Sequence, residues 1–286
     1  MQGIGDSIYS RPFVRMLVED GHEVYLNTVL PFMYADLDVK FIKTESTLRT
    51  QKKSLASSNA KFVDFVFADR EINFFYSAND LSAHGIVSHM EKAFGYEPGS
   101  TLPNFDLPPL TYHGVDTPLE KKLAIIRPVT HRSEWLCSSR SPQPNYVAWC
   151  SKILMDMGYY TISIADCEPG AEWIVDEDNL LAHQKFHKGE LGLEGTLSLI
   201  KSADLVVGGS GFIIPASVAS DTNLFIIFGG RGKYDNPHKV LDLRMNLKKI
   251  GWALPTNFCR CATMDHDCDK TIKDLDSQFF NFMRSI

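Results

Sequence analysis

The chain has 286 residues, 44% of them hydrophobic, and a formal net charge of −6. That length suggests about two domains, and the acidic balance argues against a strongly basic nucleic-acid binder while leaving room for a local basic groove. No apolar run approaches the ~18 residues of a membrane span, and no charged-then-apolar leader opens the chain, so the expectation is a cytoplasmic protein. Its cysteines, Cys137, Cys150, Cys167, Cys259, Cys261 and Cys268, are too sparse for a disulfide scaffold and read as free thiols.

Gly3 and Gly5 permit a tight loop around Asp6, Pro12 fits a first helical turn, and Phe13, Met16 and Leu17 share a helical face that Gly21 stops. A carboxylate such as Asp6 at a helix start either caps the helix or acts as a base, and capping is the commoner role. A strand over 22–28 follows, at the spacing of an α/β layer. A short helix is expected over 30–37 and strands over 39–42 and 61–68. The polar stretch 44–60 has no apolar period and reads as a mobile loop. A helix begins near Asn79 and Asp80 and ends at Gly95. His84 and His89 within it lack a carboxylate at a telling spacing and read as surface or core histidines.

Pro98, Pro103, Pro108, Pro109 and Pro118 punctuate an aperiodic segment, so 99–118 is the expected interdomain linker. A second α/β half then starts with a strand over 123–126, a loop over 127–144, a helix over 146–157 stopped by Gly158 and a strand over 160–165. The loop holds Arg127, Thr130, His131, Arg132, Ser133, Glu134 and Arg140, which suit a phosphate at the carboxyl end of a strand, although a solvated polar loop is the plainer reading. Leu193, Leu197 and Ile200 mark a helical face. It leads into glycine-bounded apolar runs at 205–207 and 224–228, which read as buried parallel strands joined by a crossover of about minimal length. Residues 208–211 then face a helix start, where amides and the helix dipole favour an anion; a tight turn without a ligand accounts for the glycines equally well. Deep in a helix Pro215 would cost roughly 3 kcal/mol, so it belongs in the first turn.

Two stretches together resemble a known family. The run Gly5-Asp6-Ser7-Ile8-Tyr9-Ser10-Arg11-Pro12 resembles the amino-terminal Gly-Asp pattern of the ADP-heptose:lipopolysaccharide heptosyltransferases, and Ser202-Ala203-Asp204-Leu205-Val206-Val207-Gly208-Gly209-Ser210-Gly211 is similar to their donor motif. Phe228-Gly229-Gly230 lies where the family has Phe-Gly-Pro, and Cys259, Cys261 and Cys268 resemble its cysteine-containing tail. The resemblance implies an α/β, GT-B-like fold, two Rossmann-like domains with parallel sheets facing across a cleft. Residues 1–117 would form the acceptor domain and 118–272 the nucleotide-sugar domain, with a final helix in 273–286 that has the option of crossing back to the first. By the same resemblance Asp6 is the catalytic base; Gly209, Ser210, Gly211 and Phe212 bind the donor, and Thr130 and Arg132 fall more loosely among the phosphate-binding positions. There are departures. The family's acidic residue before Ser-Gly is Gly209 here and its following histidine falls at Ile214 or Pro215, so the donor need not be ADP-heptose. The chain also begins almost at the Gly-Asp pattern, without room for the usual first strand.

The expected function is therefore a metal-independent, inverting transfer of a sugar from a nucleoside-diphosphate sugar to a saccharide or other acceptor hydroxyl, with no cofactor. The sugar, the base and the oligomeric state stay open. A nucleotide-sugar epimerase, a non-catalytic nucleotide-binding protein and a glycosyltransferase acting on a DNA base are the alternatives, a nucleic-acid acceptor being the less favoured for an acidic chain. Cys259, Cys261, His266 and Cys268 offer a candidate zinc set, but their spacing matches no defined finger and plain thiols are the preferred reading.

Overall fold

A computed structural model describes residues 3–100, 103–111 and 114–286. The first lobe comprises α1 (Ile4–Glu19), β1 (Val24–Leu26), β2 (Val39–Ile42), α2 (Arg49–Ala56), β3 (Phe62–Val63) and α3 (Ala78–Phe94), and its strands pair in parallel in the order β1-β2-β3. Helix α1 begins at Ile4, so the expected glycine loop is its first turn. Asp6 sits at the third helical position and accepts the Gly3 N–H at 3.2 Å, satisfying a donor that the helix itself leaves unpaired. Pro12, expected in a first turn, lies inside the helix instead. The stretch 44–60, expected as a mobile loop, holds α2; what fixes it is charge rather than an apolar stripe, since Arg49 and Lys53 reach Asp166 in the second lobe at 3.1 and 3.3 Å. Strand β3 pairs over two residues only, shorter than expected, and 64–76 continues without a ladder. Ser77 caps α3 by accepting the Asp80 N–H at 3.3 Å, and Gly95, at φ 93°, ends it.

The second lobe contains β4 (Leu123–Arg127), β5 (Thr130–Arg132), α4 (Pro144–Asp156), β6 (Tyr160–Ile164), β7 (Glu172–Ile174), β8 (Gln184–Phe186), α5 (Gly192–Ser202), β9 (Leu205–Gly209), α6 (Ile213–Ser220), β10 (Asn223–Ile227), α7 (Pro237–Val240), β11 (Ile250–Ala253) and α8 (Leu275–Met283). Six strands form one parallel sheet in the order β8-β6-β4-β9-β10-β11. Counted from β4 that is 3-2-1-4-5-6, the doubly wound order of dinucleotide-binding domains. Helices cover both faces, which is why Leu205, Val206 and Val207 of β9 and Leu224 to Ile227 of β10 are all fully buried with no polar alternation. Strands β5 and β7 form a separate antiparallel ribbon.

Helix α8 stays with the second lobe instead of returning to the first. Phe279 meets Phe225 and Trp149 edge-on at 5.0 and 5.7 Å, and Gly251 of β11 leaves the space that Phe282 fills. Elsewhere the lobes share one core, in which Ile8 and Phe13 of α1 join Ile214 of α6 and Val240 of α7. The Tyr9 hydroxyl donates to the Val240 carbonyl at 2.6 Å, and Arg244 grips the fully buried Glu91 carboxylate with two bonds of 2.6 and 2.8 Å. Gly85 of α3, at φ 73°, lets the α7 backbone approach; a Cβ there would lie 3.1 Å from the Lys239 carbonyl oxygen. Among the described residues of 99–118 there is no helix or strand.

Candidate active site

Strand order reverses between β4 and β9, and in open parallel sheets ligands bind in the crevice beyond the carboxyl ends of such a pair. A cleft of about 2300 Å³ opens there, lined by both lobes: Asp6 and Tyr76 from the first, Arg140, Ser210, Arg231 and Asp235 from the second. The glycines ending β9 serve close packing. None of residues 208–211 has positive φ, but a Cβ on Gly208 would lie 2.8 Å from Arg127 Cβ and its carbonyl oxygen, and one on Gly209 would lie 2.9 Å from Pro142 Cδ. The loop carrying Arg140 and Pro142 can therefore lie flat against the end of β9.

Helix α6 starts at Ile213, with Pro215 in its first turn as expected. The opening of α1 comes down on this start, since a Cβ on Gly5 would be 3.7 Å from Phe212 Cα and 3.5 Å from Pro215 Cγ. Two helix N-termini thus converge, each favouring negative charge. Asp6, next to Gly5, accepts a 2.7 Å hydrogen bond on Oδ1 from the Tyr76 hydroxyl. Burial, then the negative charge of Asp6, pushes that hydroxyl well above the ordinary tyrosine range, so it keeps its proton. Tyr76 lies outside every motif that the sequence singles out.

On the other wall, Ser210 Oγ donates to Asp235 Oδ1 at 2.9 Å, and Arg140 Nη2 donates to the Ser210 carbonyl at 2.7 Å. Arg140 Nε and Arg231 Nη1 lie 3.2 and 3.6 Å from the Asp235 oxygens, close enough for ion pairing but not aligned for hydrogen bonds. Arg140 Nε and Asp235 Oδ2 are buried without a hydrogen-bond partner among the described residues. Two guanidiniums share one carboxylate, which leaves a net positive charge beside the Ser210 loop. Asp235 and Arg231 follow the Gly229-Gly230 turn, and nothing in their local pattern marked them.

Thr130 and Arg132 line the same cleft but are already engaged. Thr130 Oγ1 accepts from Arg127 Nη2 at 3.2 Å, and Arg132 Nε lies 2.7 Å from Glu172 Oε2. The Glu172 side chain is only 1% exposed and also faces Arg49 at 3.2 Å and Arg127 at 3.5 Å. Burial alone would raise the neighbouring Asp166 carboxyl, but the bonds and charges of Arg49 and Lys53 outweigh it and hold it below the usual carboxylate range. This charge network joins α2 to the second lobe.

The tail cysteines come together. The ligand atoms of Cys259, Cys261, His266 and Cys268 all lie within 4.8 Å of one another; Cys261 and Cys268 Sγ are 3.6 Å apart, and His266 Nδ1 is 3.3 Å from Cys268 Sγ and 3.5 Å from Cys259 Sγ. Metal–thiolate bonds of ~2.3 Å in a tetrahedron place ligand atoms roughly 3.7 Å apart, so three thiols and one imidazole here fit such an ion. The cluster abuts the loops around Ser139 and Gly230. Gly230 leaves the room that Cys268 occupies, the Gly232 N–H donates to the Cys259 carbonyl at 2.9 Å, and Ser139 Oγ donates to the Thr263 carbonyl at 2.7 Å.

No protein-family model matches the sequence, and no curated protein matches it. Solved structures do. TibC from enterotoxigenic E. coli H10407, a bacterial iron-containing dodecameric glycosyltransferase, matches with a TM-score of 0.64 over 99% of this chain and 74% of that one, at 12% identity; it has also been determined in complex with ADP-D-beta-D-heptose. The E. coli heptosyltransferase WaaC, with ADP-2-deoxy-2-fluoro heptose, gives 0.52 over 98% and 97% at 10% identity. A glycosyl transferase family 9 protein from Veillonella parvula DSM 2008 gives 0.53 over 88% and 83%, also at 10%. The fold is GT-B-like. At such identities the likeness establishes the fold, in accord with the expected α/β architecture of parallel sheets in two halves, and function has to be argued from the site. Among the described residues no helix is long and apolar enough to cross a membrane.

Proposed function

We propose that this chain is a glycosyltransferase that moves a sugar from a nucleoside-diphosphate sugar to an acceptor hydroxyl, with inversion and with Asp6 as the base. One observation carries the reading: Asp6 lines the same cleft as the Ser210 loop, and its neighbour Gly5 rests on Phe212. The donor binds to the second lobe, within residues 118–272, and the acceptor mainly to the first, within residues 1–117. The diphosphate lies on the amides of Gly209, Ser210, Gly211 and Phe212 that lead into α6, facing Arg140 and Arg231. As the acceptor oxygen attacks the anomeric carbon, Asp6 takes its proton; the carbon–oxygen bond to the diphosphate breaks on the opposite face, and the departing charge is held by amides and guanidiniums. Those groups supply the positive charge at the breaking bond without a metal there. Thr130 supports the donor site through Arg127. Arg132 serves a phosphate by exchanging Glu172 for it.

A thermal-shift screen of ADP-, UDP- and GDP-sugars tests donor binding. A ligand at a hundred times its Kd adds about 2.7 kcal/mol to the native state, and in a protein of this size that raises Tm by about 4 to 5 °C. The expected result is such a shift with sugar nucleotides of one base, accompanied by release of the nucleoside diphosphate when a sugar acceptor is added. No shift with any of them at millimolar concentration overturns the reading. Conversion of the sugar with no acceptor present points to an epimerase.

We further propose that Cys259, Cys261, His266 and Cys268 hold one metal ion, zinc or iron, with a structural role. A bound ion supplies a cross-link among these four side chains; the residues themselves already tie the tail to the loops bearing Arg140, Arg231 and Asp235. Elemental analysis of the purified chain is expected to find about one such ion per chain, and Cys268→Ser to lose it with a fall in Tm. A metal-free chain that is as stable as a metal-supplemented one removes this site.

A further inference from the structure

Tyr76 stands at the seam between the two walls of the cleft. Its hydroxyl donates to Asp6 Oδ1 at 2.7 Å, and the charges of Arg140 and Asp235 on the donor side also reach it. The surrounding chain fixes its place. Ile72, Phe74 and Tyr76 alternate as half-buried residues, Phe74 stacks on Phe94 at 5.7 Å, and the Phe75 carbonyl accepts from His89 Nε2 at 3.0 Å. The next residue, Ser77, is locked in a reciprocal cap with Asp80. The tyrosine oxygen is thus held by a packed segment on one side and a helix start on the other.

We infer that Tyr76 is a positioning residue: its hydroxyl fixes the plane of the Asp6 carboxylate so that this carboxylate meets an acceptor hydroxyl at the donor loop. The inference rests on the proposed role of Asp6 as the base. A carboxylate on the first turn of a helix turns freely about its last bond unless something holds each oxygen. Here the Gly3 amide binds Oδ2 at 3.2 Å and Tyr76 binds Oδ1, and each oxygen keeps a lone pair to spare. Burial and the Asp6 charge keep the Tyr76 proton in place, so the hydroxyl orients the base without exchanging protons with it. Of the two bonds the tyrosine's is the shorter, and its donor is the better shielded.

Two readouts separate this inference from the base assignment. In the full chain labelled with ¹³Cζ-tyrosine, the Tyr76 resonance is identified by its loss in Tyr76→Phe. Asp6→Asn keeps an acceptor oxygen but removes the charge, so the Tyr76 signal is expected to move at neutral pH. No movement in that variant shows that the hydroxyl does not engage Asp6 and overturns the inference. In transfer assays with the sugar nucleotide that stabilises the chain most, Tyr76→Phe is expected to lower turnover by about 10- to 100-fold, the worth of one hydrogen bond to a charged group, and to leave the affinity for the matching nucleoside diphosphate within about twofold. Wild-type turnover by Tyr76→Phe beside an inactive Asp6→Asn sinks the positioning role while the base survives; an active Asp6→Asn sinks the base itself.

Discussion

Asp6→Asn is expected to lower transfer by about 10²- to 10⁴-fold, the usual worth of a general base, and to change nucleoside-diphosphate affinity by no more than about twofold. The substitution is nearly isosteric. Asparagine at the third position of α1 has a single acceptor oxygen: turned toward Gly3 it keeps the cap and its NH2 group donates to the Tyr76 oxygen, and turned toward Tyr76 it keeps that bond at the cost of the cap. What disappears is the capacity to take a proton. Because Asp6 opens α1, whose following residues Ile8, Tyr9 and Phe13 are buried in the shared core, Tm is expected to move little, and loss of activity then reflects chemistry. Turnover and binding are read on the same preparation, by nucleoside-diphosphate release and by calorimetry. A variant that loses both together indicates a structural role for Asp6, whereas one with wild-type turnover removes it from the reaction.

Glu172→Gln is expected to destabilise the protein by about 3 to 5 kcal/mol, a Tm loss of about 5 to 8 °C. The side chain is only 1% exposed and is the common partner of Arg49, Arg127 and Arg132, whose side chains are 17%, 16% and 32% exposed. Burial already pushes the Arg127 guanidinium down, and Glu172 is the main charge opposing that shift. With glutamine in its place Arg127 and Arg132 lose their shared anion, while Arg49 keeps Asp166 and Glu168. Partial access of Arg132 to water places the expected loss nearer the lower end. The same change releases Arg132, so the variant is also expected to bind the matching nucleoside diphosphate more tightly, that arginine reaching the donor by leaving Glu172. Unaltered affinity in a folded variant assigns Arg132 to the ribbon formed by β5 and β7 alone. A Tm within a degree of the wild type shows that the network contributes nothing net.

The parts of the fold legible in the chain were those with strong local chemistry. Runs such as 205–207 and 224–227 are apolar throughout because helices cover both faces of their sheet, and glycine-bounded apolar runs separated by a helix-length crossover have few other ways to fold. The capping role of Asp6 and the place of Pro215 in a first turn likewise follow from neighbouring residues. Contacts that act across the cleft left no such mark. Helix α2 has no apolar period because its anchors are Asp166 and Glu172, more than a hundred positions away, so 44–60 reads as loose chain until the lobes come together. Tyr76 and Asp235 are single polar residues outside any recognisable motif, made significant by Asp6 and Ser210. The Cys259-x-Cys261 spacing resembles no finger since loop packing against Gly230 and Gly232, rather than a hairpin, gathers its ligands. The glycines at the end of β9 suit an anion or a tight turn by their spacing, and their close approach to Arg127 and Pro142 is a further role that shows only in three dimensions.

A structure of the chain with the nucleoside diphosphate of the sugar nucleotide that stabilises it most tests the central claim most directly. The account predicts diphosphate oxygens within hydrogen-bonding distance of the amides at 209–212 and of Arg140 or Arg231, with the terminal phosphate turned toward Asp6 across the cleft. That nucleotide seated elsewhere, or seated at the Ser210 loop with its terminal phosphate directed away from Asp6, contradicts it.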